Sequence, residues 1–153
     1  MNALELKLPP LVLVAITALL MWGLHRALPL WMWTSPLRPW FAGGLFAAGA
    51  GFALAGVIAF RRARTTVDPR APDAASRIVS SGIYRYSRNP MYVGFLLALA
   101  AWALWLASPV AALCLPAFVA YMNRFQIAPE ERMLGQKFGA HYLAYRQAVR
   151  RWL

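Results

Sequence analysis

One cysteine, two histidines and five acidic residues are all that this 153-residue chain offers to most kinds of side-chain chemistry. The lone cysteine, Cys114, excludes an intrachain disulfide and a thiolate metal site. Its place inside an apolar run makes it a packing residue rather than a reactive thiol. Charge is scarce too, at 14% of residues against 61% hydrophobic, a balance too apolar for a water-soluble fold of this size. Internal repeats and low-complexity tracts are absent. What charge there is has one sign: sixteen basic residues against five acidic ones leave a net charge of +11. Such an excess suits nucleic acid or anionic lipid, and the apolar runs favour the lipid, so no nucleic-acid partner is expected.

A membrane-spanning helix takes about 20 largely apolar residues. Four segments compete for that role, at residues 10–28, 40–60, 90–107 and 110–125. The last is the weakest, because Pro116 should kink it and Asn123 and Arg124 intrude, which leaves open whether it crosses completely. The expected fold is therefore all-α, a single polytopic helical membrane domain with a polar loop at residues 61–89 and C-terminal helices over residues 129–152. With the N-terminus inside, 14 of the 16 basic residues fall on the cytoplasmic side and only Arg26 and Arg38 outside, which predicts cytoplasmic termini. Lys7 precedes an apolar stretch, but Glu5 and the Pro9-Pro10 pair argue against a cleaved signal peptide. Trp31, Trp33 and Trp40 read as an interfacial belt around the short outer loop. Gly43, Ala47, Gly51, Ala55 and Ala59 form a stripe of small residues suited to close helix packing within a monomer, or else in a weak homodimer.

Chemistry concentrates where the polar loop meets the third segment, in the run from Gly82 to Gly94. Asn89 and Pro90 have a plain structural reading as helix cap and first helical residue, and the arginines as lipid-phosphate anchors. That reading leaves the mixture of Tyr84, Tyr86, Arg88 and Tyr92 unexplained. Glu130 and Glu131 would be favoured by the dipole of a helix opening at Pro129 and ending near Phe138-Gly139. They are nevertheless two of five acids in the chain. A hairpin of the third and fourth segments would return them to the level of Arg88 and Tyr92. Beyond them Tyr142, Tyr145, Val149 and Trp152 recur at helical spacing opposite Arg146, Arg150 and Arg151, an interfacial amphipathic pattern. His141 reads as a surface residue. Basic, aromatic and acidic groups at one mouth suit a ligand with a carboxylate, an ammonium and an aromatic base, since guanidinium groups clasp carboxylates and aromatic faces attract cations.

The run from Gly82 to Gly94, then Glu130-Glu131 with Leu134, then Phe138-Gly139, Tyr142, Tyr145 and Arg146, resembles the isoprenylcysteine carboxyl methyltransferase and phospholipid methyltransferase superfamily. Thr65-Thr66-Val67 and Pro69 resemble its bacterial branch. The resemblance implies a membrane methyltransferase, in a bacterial inner membrane, that binds S-adenosylmethionine at the cytoplasmic face and releases S-adenosylhomocysteine. By position it implies a cofactor site of Tyr84, Arg88, Asn89, Pro90, Tyr92 and Gly94 on one wall, Glu130 and Glu131 on the other, and Tyr142, Tyr145 and Arg146 closing it. Arg88, Tyr92 and Glu130 are the residues expected nearest the chemistry, without a metal. Eukaryotic members have histidine where this chain has Asn89. The implied partners are membrane lipid and a lipophilic or small-molecule methyl acceptor. Two rival readings are a sterol-type membrane reductase using NADPH and a non-enzymatic scaffold whose basic loops bind anionic lipid.

Overall fold

The computed structural model describes residues 5–29, 35–63 and 77–153, all helix, turn or extended connection with no strand among the described residues. Trp31, Trp33, Thr65, Thr66, Val67 and Pro69 lie outside these residues. Helix α1 spans Pro10–Ala27, α2 Arg38–Arg62 and α3 Pro90–Leu106. After a one-turn α4 at Pro109–Ala112, α5 covers Cys114–Tyr121, a π-helical turn covers Met122–Ile127, and α6 covers Ala128–Phe138. Helix α7, Ala140–Ala148, follows the turn at Gly139. Proline lies in the first two positions of α1, α2, α3, α4 and α6, and at the free starts of α1, α2, α3 and α4 its missing N–H leaves no helical bond unmade.

The chain is a helical membrane protein: α1, α2 and the rod Pro109–Phe138 are long and apolar enough to cross a bilayer, and α3 is a shorter apolar helix. At 17 residues α3 reaches about 26 Å, near the lower limit for a crossing. The rod differs from the sequence expectation, which divided it at residue 125. It runs 30 residues, interrupted at the Leu113 turn where α4 gives way to α5. Pro116 sits in the first turn of α5, where it breaks no bond, and Asn123 and Arg124 are taken up in the π turn. At about 45 Å the rod outreaches a hydrocarbon core of about 30 Å, so its two ends cannot both lie inside it.

Helices α2 and α3 make the closest contact, along Ala42, Gly49 and Gly56, all buried. A Cβ built on Gly49 would lie 2.7 Å from the Gly94 carbonyl oxygen, and one on Gly94 would lie 2.5 Å from that of Gly49. This face is one residue out of phase with the expected stripe. Gly43, Ala47 and Gly51 are exposed, and nothing lies within 4 Å of a Cβ at Gly43 or Gly51. The reason is spacing: a four-residue repeat drifts around a helix by about 40° per step, whereas the seven-residue repeat of 42, 49 and 56 stays within about 20° of one line. Gly43 instead borders an apolar groove of about 450 Å³ that also takes in Trp102 and Trp105. The bundle core runs from Leu13 and Met21 on α1 through Leu99 and Ala103 on α3 to Phe118, Met122 and Ile127 on the rod, and Cys114 is buried within it.

Candidate functional site

The first element of the site is the 3-10 turn Gly82–Arg85, entered through Gly82 at φ +61°, a left-handed conformation that glycine adopts without strain. It buries Tyr84, whose ring meets Phe60 at the end of α2 edge-on, with centroids 5.2 Å apart. Tyr145 on α7 donates its hydroxyl to the Tyr84 carbonyl at 2.8 Å. This contact ties the C-terminal helix to the loop ahead of α3.

Asn89 stands at the start of α3 as expected, but its side chain does not cap the helix. The backbone carbonyl of Asn89 accepts from the N–H groups of Tyr92 and Val93 at 3.0 Å each. Its side-chain amide is thereby left for another task, and donates to the Arg151 carbonyl at 2.9 Å. Buried Ser87 holds the Asn89 N–H on its hydroxyl at 3.0 Å. Asn89 thus binds the tail rather than its own helix.

The tail exists because α7 ends earlier than the sequence pattern predicted. Val149 is extended, at φ −125° and ψ 136°, and residues 149–153 turn back over the start of α3. The Arg88 N–H donates to the Arg150 carbonyl at 2.9 Å. The Arg88 guanidinium donates through Nη1 to the carbonyls of Arg146, at 2.9 Å, and Val149. Trp152 donates its indole N–H to the Asn123 side chain in the π turn at 3.1 Å.

The two glutamates, adjacent in sequence, have different surroundings. Glu131 is 8% exposed, with Arg88 Nη2 2.7 Å from Oε1 and Arg151 Nη2 2.6 Å from Oε2. Arg151 Nε adds a third bond, at 3.1 Å to Oε1. Both carboxylate oxygens of Glu131 are therefore engaged by guanidinium groups, although it was expected to face a ligand. Glu130 accepts from the Tyr92 hydroxyl at 3.3 Å and pairs with no cation among the described residues. On Arg88 the Nε is buried without a hydrogen-bond partner. A carboxylate without a cation and a guanidinium N–H without an acceptor therefore share one cluster.

The aromatic wall is uncharged. Tyr142 is buried, and burial first, then the Glu131 carboxylate, pushes its phenol up to about 12. Burial likewise raises Tyr84 and Tyr145. All three remain protonated across the physiological range.

The structure thus brings together Tyr84, Arg88, Asn89, Pro90, Tyr92, Glu130, Glu131, Tyr142 and Tyr145. Two expected residues stand apart. Gly94 faces Gly49 and Ala53 in the α2–α3 contact, so its missing side chain serves helix packing. Arg146 contributes its carbonyl to Arg88 and a charge that acts on Tyr142, but the residue itself is exposed. His141 is exposed, as expected. Arg151, Trp152, Asn123 and Ser87 were missed. Arg151 and Trp152 had been counted as the basic face and the anchor of an amphipathic helix, and no local pattern marks side chains whose partners lie 20 and 29 positions away. No group of three or more potential metal ligands occurs among the described residues.

A family model described as phospholipid methyltransferase matches residues 37–141. An uncharacterized protein of Haemophilus influenzae is 51% identical over 63 residues, which is 41% of this chain and the whole of that protein. Protein-S-isoprenylcysteine O-methyltransferases A and B of Arabidopsis thaliana are 39% and 36% identical over 75 and 76 residues, covering 47% and 48% of this chain. The matched part spans only 36% and 37% of those plant proteins. No solved structure matches.

Proposed function

Since the chain belongs to the phospholipid methyltransferase family, we propose that it transfers a methyl group from S-adenosylmethionine to a lipophilic or small-molecule acceptor at the cytoplasmic membrane face. The observation that carries this reading is the pair of unmatched groups in the cluster, the Glu130 carboxylate and the Arg88 Nε–H. The donor presents their complements, a carboxylate for the guanidinium and a positive ammonium or sulfonium for the glutamate, so the residues present fit it.

S-adenosylmethionine supplies an electrophilic methyl; its transfer breaks the S–CH3 bond, leaves the electron pair on sulfur and releases S-adenosylhomocysteine. Arg88 is held rigid by Glu131 and the tail carbonyls, which preorganises it for an anion and spares the cost of ordering a long side chain. Among the described residues Glu130 provides the one carboxylate whose charge is not already matched, and Tyr92 orients it. Tyr84, Tyr142 and Tyr145 add neutral rings and hydroxyls. In-line displacement depends on alignment at near-attack distance more than on acid–base help. Rigidity of this kind is therefore the protein's main contribution, and an amine acceptor would pass its proton to Glu130.

The membrane position admits an acceptor sideways between helices, while the donor enters from the cytosol. The closing test adds S-adenosylmethionine carrying a labelled methyl, with the purified protein, to a total membrane extract and identifies the labelled species. Label in a lipid or small molecule that depends on the protein and is lost in Glu130→Gln supports the reading. Stabilisation by NADPH and not by S-adenosylmethionine would assign the site to a reductase, and stabilisation by neither would leave a scaffold.

A further inference from the structure

The π turn Met122–Ile127 sits one turn before Glu130 and is touched by both ends of the chain. Ala128 donates its N–H to the Asn123 carbonyl, five residues back, in place of the usual four. Proline at 129 has no N–H to offer the Phe125 carbonyl, its normal partner four residues back. That carbonyl is met from outside the helix, by the Leu6 N–H at 3.0 Å. Gln126, 0% exposed, donates its side-chain amide to the Leu8 carbonyl at 2.6 Å. Glu5, next in the same segment, pairs with Arg132 on α6 at 2.8 Å. Leu6 holds φ 56°, a left-handed conformation uncommon outside glycine, while making its bond.

The turn decides which way the glutamates face. Met122, Ile127 and Glu131 are 0%, 0% and 8% exposed. At about 100° per residue, an unbroken α-helix would set Ile127 about 140° and Glu131 about 180° from Met122, on the opposite face. The extra residue of a π turn removes about 100° of that, leaving about 40° and 80°. All three can then be buried on the side of α1 and α3.

We propose that Gln126 and the segment Glu5–Leu8 are positioning elements. They hold the π turn, and through it the helical phase that presents Glu130 to Tyr92 and Glu131 to Arg88. The segment acts as a strap whose bonds compensate the helix for the irregular turn. The consequence for methyl transfer rests on the reading of the cluster given above, whereas the phase itself does not.

The test therefore has two readouts. In a Cys114→Ala background, single cysteines are placed at positions 133 to 137 and labelled with maleimide in detergent, a measurement that needs no cofactor. S-adenosylmethionine affinity is measured by calorimetry in parallel. Gln126→Leu is expected to shift the labelling pattern by one position along α6 and to weaken affinity at least ten-fold. Deleting exposed Arg124 in the Gln126→Leu chain lets a plain α-helix keep the native phase, and should restore both. Leu6→Pro, which removes the strap's N–H donor and also cannot hold the left-handed φ of Leu6, should give the same shift if Gln126→Leu does not fold. Unchanged labelling in both variants, or a shift that the deletion does not reverse, overturns the proposal. A reversible labelling shift in a protein that never binds the cofactor supports the strap and refutes the cofactor reading alone.

Discussion

Replacing Glu131 with alanine removes the carboxylate that two guanidinium groups share and leaves the Arg88 charge, 9% exposed, without a counter-ion. Breaking a buried ion pair from one side costs about 3–5 kcal/mol, because the remaining charge stays desolvated. Arg151 is 33% exposed, so water takes over part of its charge, and Arg151→Ala should cost only about 1 kcal/mol. Glu130 lies beside Glu131 and behaves differently. Glu130→Gln keeps a side-chain oxygen that can accept from Tyr92, a weaker bond than to a carboxylate, and removes a carboxylate that has no cation, so stability should change by less than about 1 kcal/mol. The assay is equilibrium unfolding in mixed micelles, followed by tryptophan fluorescence, with cofactor affinity measured on the same preparations. Neighbouring glutamates should then separate, with Glu131→Ala losing stability and Glu130→Gln losing binding at native stability. A Glu131→Ala protein within about 1 kcal/mol of wild type would refute the clasp. So would Glu130→Gln destabilised as much as Glu131→Ala.

Further outcomes follow from particular contacts. Gly94→Ala would drive a methyl into the Gly49 carbonyl and the Ala53 backbone, and should destabilise by about 1–3 kcal/mol with cofactor affinity recovered in whatever fraction stays folded. Gly43→Ala, with nothing near its Cβ, should be neutral in the same unfolding assay. Asn89→Ala frees one bond to the tail, worth about 1 kcal/mol, and should speed tryptic cleavage after Arg150 or Arg151 without unfolding the bundle. Cys114, 6% exposed, should resist maleimide in the folded protein and react fully in dodecyl sulfate. Tyr142 ionises at about 12 when folded against about 10 when unfolded, so its contribution to stability is complete below about pH 10 and is lost as pH rises toward 12. Loss of that alkaline sensitivity in Tyr142→Phe is the check, by unfolding midpoints between pH 9 and 12.

Helix positions were legible because lipid imposes a length and composition requirement that apolar runs meet on their own. Proline marked the starts of α1, α3 and α6 for the same local reason: each needs only its immediate neighbours. Packing phase was less legible. The stripe from Gly43 to Ala59 and the row of Ala42, Gly49 and Gly56 are both plausible on α2 alone, and only the backbone of α3 at Gly94 decides between them. The end of α7 failed for a related reason. Tyr142, Tyr145, Val149 and Trp152 continue a helical spacing, yet the carbonyls of Val149, Arg150 and Arg151 are drawn off by Arg88 and Asn89 across the fold. Side-chain periodicity cannot register a competition for backbone acceptors.

The same distinction separates the two glutamates. Sequence spacing assigns adjacent residues to helical faces about 100° apart, but it does not say which face meets Arg88 unless the phase of the helix is known. Phase is a count of residues from the last packed position, Met122, and the π turn alters that count by one. The sequence shows Pro129, from which a free carbonyl at Phe125 follows, but not what satisfies it. The satisfying group is Leu6, 119 positions away, and the backbone carbonyl of Leu8 performs the matching service for Gln126 from 118 positions away. A site written almost wholly in residues 84–152 therefore depends for its orientation on a segment that carries no recognisable motif. Substitutions in that segment should register first as a change in which glutamate faces the ligand, and only afterwards as a loss of the fold.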